Sequence, residues 1–197
     1  WRGRFMVILI SKKKIIITVF VIALSVFFTW AYRPLYITVK TVTVPDSAVI
    51  VIDPGHGGVD GGTNINGILE KDINLSISEK LKTVLEEMGY KVIMTREEDI
   101  SLDGFNNTSK SRHKRDLNER LGIIKKSNAQ MFLSIHVNYM KGNAKANGAI
   151  VFYSGKFAEN KKLADCIQQE LNNLSLNGKK RTAHNPQKEK YYILQQS

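Results

Sequence analysis

The feature that most constrains this chain is the order strand, glycine-rich loop, amphipathic helix, which begins at Ala48. The run AVIVID from Ala48 to Asp53 is apolar and β-branched on consecutive positions, the pattern of a strand buried on both faces of a parallel sheet. DPGHGGVDGG follows, then Lys71 to Met88, where Ile73, Ile77, Leu81, Val84, Leu85 and Met88 recur at helical spacing and Gly89 supplies the C-terminal cap. Strand, loop and helix in that order open a βαβ unit.

The pattern repeats downstream. Tyr90 to Thr95 reads as the next strand, and the polar stretch from Arg96 to Lys110 as a long loop. Leu117, Leu121 and Ile124 mark a second helix, Met131 to Ile135 a third core strand, Ala149 to Tyr153 a fourth, and Phe157 to Leu174 a third helix. The predicted class is α/β, a mostly parallel central sheet with helices on both faces. On the last helix Cys166 is expected on or beside the packed face, and as the lone cysteine it excludes an intrachain disulfide and a multi-cysteine metal site.

Upstream, Ile15 to Tyr32 is uncharged and long enough to cross a bilayer as a helix, with Lys12, Lys13 and Lys14 before it and Trp30 and Tyr32 at its far end. No small-residue cleavage pattern follows. The expectation is a retained transmembrane anchor in residues 1–35 with the rest of the chain outside the cytoplasm, a linker or edge strand over 36–47, and one domain over 48–197. The formal charge of +11 favours an anionic partner. Nucleic acid is excluded as that partner: part of the charge flanks the apolar run, no recognised binding motif occurs, and the topology exports the domain.

Two histidines stand just past predicted strand ends, His56 after Asp53 and His136 after Ile135, at the sheet edge where ligands bind in open α/β folds. Glu70 precedes the first apolar position of the first helix. Histidine, glutamate and histidine with a free fourth position are the ligand types of hydrolytic zinc. Glu70 alone would also serve as a helix-start charge. His113, in a basic run, and His184, before Pro186, lack this placement and are expected to be solvated. The loop around His56 has neither of the common nucleotide-binding glycine spacings.

IDPGHGG at 52–58, LEKD at 69–72, MTRE at 94–97 and FLSIHVN at 132–138 resemble the zinc-dependent N-acetylmuramoyl-L-alanine amidases of type 3. SRHKRDLNERLGII at 111–124, the long loop and the anchor most resemble their germination-specific spore-cortex subgroup. The resemblance implies zinc held by His56, Glu70 and His136, and hydrolysis of the amide between N-acetylmuramic acid and L-alanine in peptidoglycan during cortex maturation. It also implies a membrane-anchored enzyme facing the wall or cortex. In the family a glutamate on a late strand is the general base, so here that residue is expected beyond Ser197, with the catalytic domain incomplete. Glu159, Glu170 and Glu189 are expected to be solvated, which leaves Asp60 as the substitute base to weigh. The readings set against this one are a non-catalytic peptidoglycan-binding protein or inactive fragment, and a zinc peptidase acting on wall peptides.

Overall fold

The structure, a computed structural model, describes residues 48–142 and 146–197. The expected transmembrane helix and the 36–47 segment lie outside the described residues; among these, no helix is long and apolar enough to cross a membrane.

In the first half, strand β1 (Val49–Pro54) is followed by the short antiparallel pair β2 (Asn64–Ile65) and β3 (Ile68–Leu69), helix α1 (Glu70–Glu87) and strand β4 (Lys91–Met94). A single 3-10 turn at Asp103–Phe105 interrupts the long loop before helix α2 (Arg112–Lys126) and strand β5 (Met131–Ile135). β1, β4 and β5 form one parallel sheet with β1 in the centre, in register Val51 to Ile93 and Val51 to Phe132. The two connections run outward from β1 to β4 and back across to β5. With right-handed crossovers this reversal puts α1 and α2 on opposite faces. Ile50, Val51 and Ile52 are almost fully buried, as a strand covered on both faces requires.

Local chemistry accounts for the helix ends. At the end of α1, Gly89 takes φ +90° while its N–H reaches Glu86 O and the N–H of Tyr90 reaches Leu85 O, the two bonds of a Schellman cap. Ser111 caps α2 by accepting the Lys114 N–H. Val51, on the α2 face of the sheet, packs with Ile124 of α2 and with Ile193 of helix α4 (Tyr192–Gln196), supported by Ile93, Leu117 and Phe132.

The expected fourth core strand is not found at Ala149–Tyr153. Only Phe152–Tyr153 is extended into a strand, β6, and it pairs in parallel with Gln187–Lys188 rather than joining the three-stranded sheet. The reason lies in the preceding backbone: Gln168 of helix α3 (Ala158–Asn173) accepts from the Val151 N–H and donates to Ala149 O, while Val151 O takes the Gln187 N–H. Those groups are satisfied away from β5. After α3 a hairpin, β7 (Ser175–Leu176) and β8 (Lys179–Lys180), precedes the Gln187–Lys188 strand, β9.

Two helix faces differ from expectation. On α1 the buried positions are Glu70, Lys71, Asn74 and Ser78, whereas Ile77, Val84 and Met88 are exposed, because the helix turns polar side chains toward the β1 loop. On α3 the buried positions are Ala164 and Gln168, and Cys166 is exposed.

Candidate metal centre

The sheet edge predicted to hold a site brings the three predicted side chains together. His56 lies in the loop after β1, Glu70 is the first residue of α1, and His136 follows β5 directly. One ligand atom from each lies within 4.8 Å of the other two. His56 Nε2 is 3.3 Å and His136 Nδ1 3.0 Å from the same Glu70 oxygen, Oε1, and the rings meet nearly edge to face with centroids 5.0 Å apart. Three hard or borderline donors converging on one point, two of them imidazoles and one a carboxylate, suit zinc.

Glu70 is held from both sides. Its Oε2 accepts the Thr63 N–H at 2.9 Å and its Oε1 the Val137 N–H at 3.1 Å. Burial alone would raise its pKa, but the Thr63 N–H, the His136 hydrogen bond, the His56 charge and the Val137 N–H bring it down to about 2. It is therefore a carboxylate throughout the physiological range, as ligation requires. Its side chain is 6 % exposed against 46 % for His136, so the cluster opens to solvent on the His136 side.

The loop bearing His56 is strained and strongly braced. His56 itself adopts φ +63°, a left-handed conformation that a β-carbon disfavours. Arg120 of α2 donates from Nη2 to His56 O and from Nη1 to Pro54 O and Asp53 Oδ1, and its Nε reaches Asp116 Oδ2 at 2.6 Å. From the other flank Arg96, just past β4, donates to Pro54 O, Gly55 O and Lys71 O. Asn74 donates to Gly55 O as well. Full burial pushes the Asp53 carboxyl up, but the charge of Arg120 and hydrogen bonds from Thr95, Arg120 and Ser134 hold it below the usual carboxylate range. Lys71, also buried, ties Gly58 O to Asp99, which in turn accepts the Gly58 N–H.

Glycine is required where the ligands crowd the loop. A β-carbon on Gly55 would overlap the His136 ring. At Gly62, which has φ +64°, it would meet His56 and Glu70.

The structure thus brings together all three sequence-predicted ligands. His113 is exposed on α2. His184 is more engaged than expected: its ring bonds Asn147 O at 2.9 Å and its backbone is tied to Asn172. Asp60, weighed as a substitute base, instead accepts from His56 Nδ1 at 2.9 Å and from the Gly62 N–H. Arg96, Arg120, Asn74 and Asp53 went unpredicted. Arg120 did leave a signal: it falls at i+3 from Leu117 and i−4 from Ile124, a charge on the packed stripe of its own helix.

Comparison with known proteins agrees with this geometry. Residues 50–197 match the model of the family described as N-acetylmuramoyl-L-alanine amidase. The germination-specific N-acetylmuramoyl-L-alanine amidase of Bacillus subtilis strain 168 is 44 % identical over 124 residues, 62 % of this chain and 52 % of that protein. AmiA of Escherichia coli K12 is 31 % identical over 150 residues, 75 % of this chain and 45 % of that one. The chain spans about half the length of these curated relatives. Among solved structures, the CwlD amidase of Clostridioides difficile, in complex with the GerS lipoprotein, superposes with TM-score 0.63 and 37 % identity over 76 % of each chain.

Proposed function

The chain belongs to the N-acetylmuramoyl-L-alanine amidase family, and from that premise we propose that it hydrolyses the amide between N-acetylmuramic acid and L-alanine in peptidoglycan, with zinc held by His56, Glu70 and His136. The observation that carries this reading is the convergence of those three side chains on one point within 4.8 Å of one another, at an edge that opens beside His136.

Bound there, zinc would supply Lewis acidity for the amide carbonyl and lower the pKa of water near neutral pH. The protein's own part is to keep the three donors ready. Glu70 contributes a permanent negative charge. His136, the most exposed of the three, borders the side from which a substrate enters. His56 is carried on a loop whose carbonyls are gripped by two guanidinium groups, so little reorganisation is needed on binding. Asp60 is engaged with His56 and Gly62, which argues against its taking a proton from the attacking water.

A role in the spore cortex is supported by the 44 % identity to a germination-specific amidase and by the likeness to CwlD, whose solved complex includes a lipoprotein. A lipoprotein-type partner and a membrane-anchored, extracytoplasmic location form part of the same proposal, supported by the charge-flanked apolar run at 15–32.

The test is to incubate the full chain, zinc-loaded, with cortex-type muropeptides and follow released L-alanyl peptide by mass spectrometry. Release that stops with a chelator and returns with zinc is the expected result. Retention on wall fragments without any product would favour a binding protein or an inactive fragment, and cleavage within the stem peptide a zinc peptidase.

A further inference from the structure

Two different atoms of His56 are occupied in two different ways. Nε2 faces the Glu70 carboxylate at 3.3 Å, inside the ligand cluster, whereas Nδ1 faces away from it, 2.9 Å from Asp60 Oδ2. A neutral imidazole carries one proton, and its partner decides which nitrogen keeps it. A carboxylate can only accept, so Asp60 selects the form protonated on Nδ1 and leaves the Nε2 lone pair for a ligand.

Asp60 is built to make that choice. Its backbone exchanges two hydrogen bonds with Gly57, at 2.9 and 3.1 Å, closing the loop immediately around His56. Its second carboxylate oxygen, Oδ1, accepts the Gly62 N–H at 3.1 Å. With backbone and one oxygen pinned, the other oxygen is aimed at the ring. The His56 backbone is held by Arg120, whose 2.7 Å bond to His56 O braces the left-handed conformation.

We propose that Asp60 is the positioning residue of the metal centre: by accepting from Nδ1 of His56 it sets the tautomer and orientation that present Nε2 to zinc. This inference rests on the zinc reading, and it assigns Asp60 a task other than general base. Losing such an outer partner weakens metal binding about 10- to 100-fold.

Two measurements on the full chain test it. The first is zinc affinity by competition with a chromophoric chelator for the wild type, Asp60→Ala, Asp60→Asn and, as a control, His184→Ala. The expected order is wild type and His184→Ala tightest, Asp60→Asn intermediate because the amide oxygen still accepts, and Asp60→Ala about 10- to 100-fold weaker. An Asp60→Ala chain that binds zinc as tightly as wild type overturns the proposal. The second measurement, on the metal-free chain, is the His56 tautomer from long-range nitrogen–proton NMR correlations. Protonation on Nδ1 in wild type that is lost in Asp60→Ala supports the proposal. The same tautomer in both overturns it. Because this readout needs no metal, it decides the role of Asp60 even if the wild type fails to take up zinc, an outcome that would instead sink the zinc reading.

Discussion

Arg120 Nη2 lies 2.7 Å from the carbonyl oxygen of His56, a residue 64 positions earlier in the chain, so a helix on one face of the sheet fixes the backbone of a ligand at its edge. The same guanidinium serves Asp53, Pro54 and Asp116, four acceptors in all. Arg120→Ala would leave Asp53 buried without its charge partner and should cost about 3–5 kcal/mol. Arg120→Lys should recover little of it, since an ammonium lacks the planar fork that reaches several acceptors together. Urea melts of both variants beside wild type check this; a loss only slightly smaller for Arg120→Lys than for Arg120→Ala is expected.

Stability should depend on pH in a defined direction. Asp53, Glu70, Asp99 and Asp103 all have pKa values held below the usual carboxylate range in the folded chain, Glu70 at about 2. A depressed carboxylate binds its proton more weakly folded than unfolded. Its contribution is complete above the unfolded value, about 4, and disappears as pH falls through the folded one. Thermal melts of the metal-free chain should therefore be flat from neutrality to about pH 4.5 and drop steeply between there and about pH 2. A steep loss beginning near pH 6 would point to histidine instead.

Metal content separates the four histidines. His56→Ala and His136→Ala should each lose stoichiometric zinc, while His113→Ala and His184→Ala keep it, by elemental analysis of the purified chain. Zinc retained at full occupancy in both His56→Ala and His136→Ala would remove the ligand assignment.

Gly55→Ala tests the close approach of backbone to ligand. The added methyl would occupy the space of the His136 ring, so the ring must move out of the cluster. Zinc affinity should fall by at least about 10-fold while the fold, set by β1 and its neighbours, melts within a few degrees of wild type. Unchanged affinity would show that His136 has another orientation open to it.

Much of this was legible in the amino-acid order. β1, α1, β4, α2 and β5 fall where hydrophobic runs and helical spacing put them, because each is a local pattern with a buried side. The meeting of His56 and His136 was legible too, since strand ends in a parallel sheet share one edge, with Glu70 as the acid that opens the helix between them. What escaped was long-range and polar. Nothing local says that Ala149–Val151 will spend its backbone groups on Gln168 and Gln187 rather than on β5. Helical spacing marks Ile77 and Val84 as the packed face of α1, yet the helix turns Asn74 and Ser78 inward. Asp60 was visible as an acid in a glycine-rich loop, but only the 2.9 Å contact to Nδ1 distinguishes an orienting group from a base.

The three candidate ligands arrive from separate stretches of backbone, and Glu70 and His136 alone are 66 residues apart. A metal bound across that span acts as a removable cross-link: it ties distant parts of the chain and has no equivalent purchase on the unfolded polymer, where loop closure opposes the same contacts. Its occupancy therefore raises resistance to unfolding by mass action, about 2.7 kcal/mol when free zinc is a hundred times the dissociation constant. If zinc is the metal that binds there, the lifetime of this protein would follow its supply.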